Sequence, residues 1–202
     1  MKKIIFFDLD GVLIHSINNM KYAWKNSCSV MSINIPFSKY KKNIGLPFFE
    51  ILKKLKIKKK YHLKLQKNYN YYSSQKINSV KITKENLAIL KELKKKYILV
   101  LFTSKNKSRA QKVLGINKKL FKYKVFPSKK IRGKPYPDGI NQTVRLSKIK
   151  KKYAIYLGDS LFDYRCAKNA NVDYIHAGWG YQKIKKNNLI TIKKLQEIKK
   201  YL

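Results

Sequence analysis

Residues Lys2 to Leu13 read KKIIFFDLDGVL, and the fold turns on this stretch. Four apolar residues, Ile4 to Phe7, run straight into Asp8, and Asp10 and Gly11 follow. A run so short, β-branched and aromatic reads as a strand buried on both faces of a parallel sheet. Open α/β sheets bind ligands just beyond the carboxyl ends of their strands, which is where Asp8 and Asp10 fall. Gly11 lets the backbone turn tightly there. Two carboxylates at i and i+2 on a strand end repel unless a cation or hydrogen bonds compensate. A hard divalent cation such as Mg²⁺ meets that need. An aspartate can also attack phosphorus and carry it as an acyl phosphate. The pair therefore suggests a division of labour in which Asp8 attacks and Asp10 moves the proton. The plainer alternative is a strand-end turn carrying two solvated aspartates.

With 202 residues, 44% of them hydrophobic, the chain can bury one core with a modest insertion. The longest clean apolar run, Ile98 to Phe102, is far too short to span a bilayer. Asp8 interrupts the first apolar run, so it does not read as a signal peptide. Cys28 and Cys166 are the only cysteines, which points to free thiols in a cytoplasmic protein. The net charge is +38, yet only four of the 48 basic residues are Arg. Lys is spread over the whole chain among abundant Ile, Asn and Tyr. A dedicated nucleic-acid surface favours Arg, whose planar fork reads phosphates and bases. The charge thus reads as compositional bias, and nucleic acid is not the expected partner. A positive field still attracts small anionic substrates. Only ten residues are acidic, so carboxylates set in tight pairs stand out.

From Ile17 to about Ile82 no strongly β-patterned run appears. Helices are expected over Asn19–Met31, after Pro47, and over Tyr61–Tyr72. Thr83 caps a helix that carries Leu87, Leu90 and Leu93 on one face. Tyr97–Phe102 is the next buried strand and ends in Thr103-Ser104-Lys105. A helix follows over Asn106–Leu114, ended by Gly115. A short strand at Val125-Phe126 precedes Gly133-Lys134-Pro135-Tyr136-Pro137-Asp138 and a helix to Leu146. Tyr153–Leu157 is a further apolar strand, running into Gly158-Asp159-Ser160-Leu161-Phe162-Asp163, the second carboxylate pair at a strand end. Asp173–Ala177 is the last expected strand. An amphipathic helix is expected over Ile190–Leu202.

FFDLDGVL, the Thr103 strand end, Lys134-Pro-x-Pro-Asp and Gly-Asp-Ser-x-x-Asp resemble, in this order, the four motifs of the haloacid dehalogenase superfamily of phosphohydrolases. The resemblance extends to its phosphoglycolate-phosphatase-like branch. It implies a Rossmann-like three-layer α/β core with a parallel sheet (residues 1–15 and 82–202) and a small helical cap (16–81) inserted after the first strand. It makes Asp8 the nucleophile and Asp10 the general acid/base. Thr103, Ser104 and Lys134 become holders of the phosphoryl oxygens. Asp8, the Asp10 carbonyl and Asp159 become Mg²⁺ ligands, with Asp163 a further ligand or an orienter of metal-bound water. The loop Asn43-Ile44-Gly45-Leu46-Pro47 resembles a cap loop that faces the site, which brings in Gly45. His15 departs from the pattern, since related phosphatases often have an acid there. The expected activity is Mg²⁺-dependent hydrolysis of a small phosphomonoester, of phosphoglycolate or sugar-phosphate type, through an aspartyl-phosphate. A phosphosugar mutase, a nucleotide or pyrophosphate phosphatase, and a non-catalytic binding module are the alternatives.

Overall fold

The computed structural model describes all residues, 1–202. Six strands form one parallel sheet in the order β3-β2-β1-β4-β5-β6. They are β1 (Ile4–Phe7), β2 (Ile98–Phe102), β3 (Tyr123–Val125), β4 (Ala154–Gly158), β5 (Asp173–Ala177) and β6 (Thr191–Ile192). β1 lies at the centre, with Phe7 opposite Leu101 of β2 on one side and Leu157 of β4 on the other. The chain thus winds outward from β1 in both directions. Such a switch point leaves a crevice at the carboxyl ends of the central strands.

The two faces of the sheet bury alternate residues, as the period of two requires. Ile5, Phe7, Leu99, Leu101, Ile155 and Leu157 pack with Leu90 and Leu93 of α5 (Lys84–Lys94) and with Ala110 and Leu114 of α6 (Lys107–Leu114). Ile4, Phe6, Val100, Phe102 and Tyr156 pack with Ile140 of α7 (Asp138–Ser147) and with Cys166 and Ala167 of α8 (Leu161–Asn169). Both faces are covered, which explains why the strands read as continuous apolar runs. Both cysteines are buried and unpaired.

Between β1 and α5 the chain forms four helices: α1 (Ile17–Val30), α2 (Phe37–Lys41), α3 (Phe48–Lys54) and α4 (His62–Gln75). They close around a cluster of their own that includes Trp24, Tyr40, Leu52, Leu65 and Tyr69. Pro47 immediately precedes α3, and Thr83 Oγ1 accepts the Asn86 N–H at the start of α5. No helix is long and apolar enough to cross a membrane.

The C-terminal segment differs from the expected amphipathic helix over Ile190–Leu202. Thr191 and Ile192 instead form the edge strand β6, and Leu195–Tyr201 is a 3-10 helix. The exposed rim of β5 decides this. The His176 N–H donates to the Ile190 carbonyl and the Gly178 N–H to the Ile192 carbonyl, at 2.8 and 2.9 Å. Buried Leu195 and Ile198 are three residues apart, the repeat of a 3-10 turn. The short strand is likewise Tyr123–Val125 rather than Val125-Phe126, aligned by its pairing with Val100–Phe102.

Gly139, in the first turn of α7, sets how closely that helix meets the sheet. A Cβ there would lie 2.5 Å from Val125 Cγ1 and 3.1 Å from the Phe102 ring. Helix propensity favours Ala over Gly by about 1 kcal/mol, but overpacking a filled core costs about 1–3 kcal/mol. Gly139→Ala is expected to lower the urea midpoint despite its better helix propensity. An unchanged or higher midpoint would show that the contact relaxes without cost.

Candidate active site

The carboxyl ends of β2, β1 and β4 bring Thr103, Asp8 and Asp159 side by side. The ladder continues into the site, with the Asp8 N–H donating to the Leu157 carbonyl at 3.0 Å. After Asp8 the chain turns back on itself, and the Gly11 N–H reaches the Ile14 carbonyl at 2.9 Å. Gly11 has φ +84°, and a Cβ there would overlap the Asp159 carboxylate. Glycine is thus required twice, by conformation and by space.

Lys134 is the electrostatic hub. It is fully buried, with Nζ 2.7 Å from Asp8 Oδ1 and 2.5 Å from Asp163 Oδ1. Burial opposes its charge, but Asp163 and Asp8 more than offset that and hold the ammonium above its ordinary pKa. Asp163 is tied further. Its Oδ2 accepts from the Ser160 N–H at 2.9 Å and the Ser160 hydroxyl at 2.6 Å, and its Oδ1 accepts from the Tyr156 hydroxyl at 2.5 Å. Ser160 returns the favour by capping α8, accepting the Asp163 N–H. Burial works to raise the Asp163 pKa, yet Lys134 and these hydroxyls bring it below the usual range.

Asp8 and Asp159 are differently placed. Burial pushes Asp8 up to about 7, against the pull of Lys134. Asp159 is raised well above the carboxylate range, first by burial and then by Asp163 and Asp8. Its one hydrogen-bond donor is the Tyr181 N–H at 2.6 Å, and no cation pairs with it. Asp10 faces the other side, where its Oδ1 accepts from the Ser16 hydroxyl and lies 3.0 Å from Lys105 Nζ.

Asp8, Asp10, Thr103, Ser104 and Gly45 line one small cavity of about 60 Å³ under the helices. Thr103 is buried, and its Oγ1 accepts the Lys105 N–H at 3.1 Å. The Ser104 hydroxyl donates to the Gly45 carbonyl at 2.6 Å, joining the strand end to the helical unit. Lys134, Asp159 and Asp163 stand behind Asp8. His15 is exposed and makes no side-chain hydrogen bond.

Sequence reasoning passed over Lys105, Arg109, Ser16, Tyr156 and Tyr181. Lys105 is one of 44 lysines and carries no signal of its own. Arg109, one of only four arginines, offered rarity as a signal. Tyr181 reaches Ser16 across 165 residues and Asp159 across 22, which no local pattern records.

Residues 5–177 match the model of the family described as haloacid dehalogenase-like hydrolase. The chain belongs to that family. It is a hydrolase of the haloacid dehalogenase type, with the family's α/β core. Three solved structures share its fold. A haloacid dehalogenase-like family hydrolase from Streptococcus pneumoniae is 22% identical with a TM-score of 0.82, covering 100% of this chain and 99% of its own. A predicted phosphatase from Clostridium acetobutylicum is 22% identical with a TM-score of 0.84, covering 100% and 98%. A predicted phosphoglycolate phosphatase from Haemophilus somnus is 20% identical with a TM-score of 0.81, covering 99% and 97%. No curated protein matches the chain.

Hydrolases of this family generally use a divalent metal, and the donor set here fits one. Oxygens of Asp8, Asp159 and Asp163 lie within 4.8 Å of one another, all buried. Asp8, Asp10, Asp159 and Asp163 face only Lys105 and Lys134, so two negative charges are left without a partner. Hard oxygen donors with a deficit of two charges suit a hard divalent cation. Asp8 and Asp159 are the better donors, because Asp163 already has both oxygens engaged.

Millimolar Mg²⁺ is expected to raise the melting temperature. At about 100 times Kd the gain is ~2.7 kcal/mol, or roughly 5–10 °C for a chain of this size. Asp159→Asn is expected to remove most of that rise. Thermal melts in Mg²⁺ and in chelator check it, and identical melts of the wild type would count against a resident cation.

Proposed function

We propose that the protein is a Mg²⁺-dependent phosphatase that hydrolyses a small phosphomonoester through an aspartyl-phosphate on Asp8. One observation carries the reading. Asp8, Asp10 and Asp159 converge with Lys134 and Thr103 at the ends of three adjacent central strands, buried beside a cavity of about 60 Å³. A cavity of that size holds only a handful of waters, which favours a small ester over a nucleotide. The names borne by the phosphatases of similar fold agree with this class.

In the proposed mechanism an Asp8 carboxylate oxygen attacks phosphorus, and the ester oxygen leaves. Asp10 protonates that oxygen and then takes a proton from the water that opens the acyl phosphate. The Ser16 hydroxyl and Lys105 hold Asp10 in place. Thr103 and Lys134 stabilise the equatorial oxygens, since phosphoryl transfer relies on positioning and electrostatics. Lys134 also limits the repulsion between a phosphate dianion and the Asp8 carboxylate. Asp8, the Asp10 carbonyl and Asp159 would hold the metal, which when bound neutralises charge on the phosphoryl group. Asp163 orients Lys134 rather than reaching the substrate.

The helices between residues 16 and 81 serve in this reading as a cap on the core formed by 1–15 and 82–202. They close the cavity through Tyr40, Gly45, Leu46, Phe48 and Tyr69 and keep bulk water from the acyl phosphate.

The test is phosphate release from a panel of small phosphomonoesters, with Mg²⁺ and with chelator. Metal-dependent release is expected, with sugar phosphates and small phosphorylated acids ahead of nucleotides. Asp8→Asn is expected to lose at least about 10⁴-fold in kcat, by the scale of removed nucleophiles, while its circular dichroism stays native. Turnover retained in that variant would overturn the nucleophile assignment.

A further inference from the structure

Arg109 lies on α6, one turn beyond the phosphoryl-binding strand end, and lines the same cavity as Asp8 and Asp10. Its guanidinium stacks on the Tyr69 ring, 4.8 Å from the ring centroid. One terminal nitrogen, Nη2, donates to the Ser73 hydroxyl at 2.6 Å, and that hydroxyl donates on to Asn19 Oδ1 at 2.6 Å. Its Nε is buried and has no hydrogen-bond partner. No carboxylate pairs with it.

The other cations around the site are all answered. Lys105 has Asp10, and Lys134 has Asp8 and Asp163. Away from the site, Arg132 has Asp138, while Arg145 and Arg165 are exposed and need no partner. Arg109 alone is a cavity-lining cation without an anion. A buried donor left unsatisfied is costly, and a charged one more so. Gln66 and Asn70 lie on the same face of α4 as Tyr69 and Ser73, line the same cavity, and make no side-chain hydrogen bonds within the protein. Their amides are further free donors at that end.

We propose that Arg109, with Gln66 and Asn70, forms a second anion subsite that takes a carboxylate on the far end of the phosphate ester. This deepens the phosphatase reading and rests on it. The substrate class narrows to small phosphorylated carboxylic acids and excludes neutral sugar phosphates as the preferred ligands. The guanidinium fork matches a planar carboxylate in two parallel bonds. The cavity, at about 60 Å³, favours a flat three-atom group over a second tetrahedral phosphoryl. Stacking on Tyr69 and the bond to Ser73 hold the fork at a fixed angle, so little side-chain entropy is lost on binding.

The test compares non-hydrolysable ligands by calorimetry on the full chain in Mg²⁺: phosphonoacetate, its neutral isostere 2-oxopropylphosphonate, and methylenediphosphonate. Phosphonoacetate is expected to bind at least about tenfold tighter than the neutral isostere, the lower end for a hydrogen-bonded charge pair. Arg109→Met is expected to shrink that ratio to about threefold or less, and Arg109→Lys to reduce it partly, because an ammonium lacks the fork. If Arg109→Met fails to fold, the wild-type ratio and Arg109→Lys decide. Equal binding of acid and isostere, binding of neither, a ratio that survives both substitutions, or a preference for methylenediphosphonate would each overturn the carboxylate subsite. A latch role for Arg109 alone would weaken both ligands equally and leave the ratio intact, which also overturns it. A carboxylate preference in binding without phosphate release from any ester would instead retain the subsite and count against the phosphatase reading.

Discussion

Lys134 Nζ sits out of contact with water between Asp8 and Asp163, and the geometry of the site follows from that placement. Taking three charges from water is expensive, and the mutual attraction compensates only where the geometry is good and the remaining lone pairs are satisfied. Here Ser160 and Tyr156 satisfy Asp163, and the capping role of Ser160 ties that pair to the start of α8. Removing one partner of such a cluster typically costs about 3–5 kcal/mol, because the others stay buried. α7 must also approach the sheet closely to bring Lys134 in, and the missing side chain at Gly139 permits it.

Charge at the strand ends is divided between two neighbourhoods. On one side, Lys134 and the hydroxyls hold Asp163 ionised. On the other, Ser16 and Lys105 hold Asp10. Asp8 and Asp159 lie between, short of positive charge and pushed upward in pKa by burial. Hard oxygen donors short of positive charge suit a hard divalent cation.

The helical unit meets the core at a few polar points: Ser104 with Gly45, Arg109 with Ser73, Gln182 with Ile44, and Ser16 with Tyr181 and Asp10. Its apolar cluster is largely its own. Contacts of this kind exchange for water at small net cost, while a shared apolar core would not. That division suits the cap role proposed for these helices.

Much of this was legible in local sequence. The apolar runs ending in Asp8, Thr103 and Asp159, and the turns at Gly11 and Gly115, follow from the period of buried strands and from backbone conformation. The helix starts at Pro47 and Thr83 follow from capping. The C-terminal segment was misread because Leu195 and Ile198 suit either an α-helix or a tight 3-10 turn, and the bare edge of β5 chose between them. Lys105 and Tyr181 were invisible because their meaning lies in partners distant along the chain. The sequence by itself thus determined the sheet, its carboxylate-bearing ends and the insertion of helices after β1, since these depend on residues within a few positions of each other. Only the tertiary structure decided which lysine meets which aspartate, that Asp163 serves Lys134, and that Arg109 faces the cavity without an anion. Those are long-range electrostatic pairings, which arise when burial removes water and no local pattern encodes them.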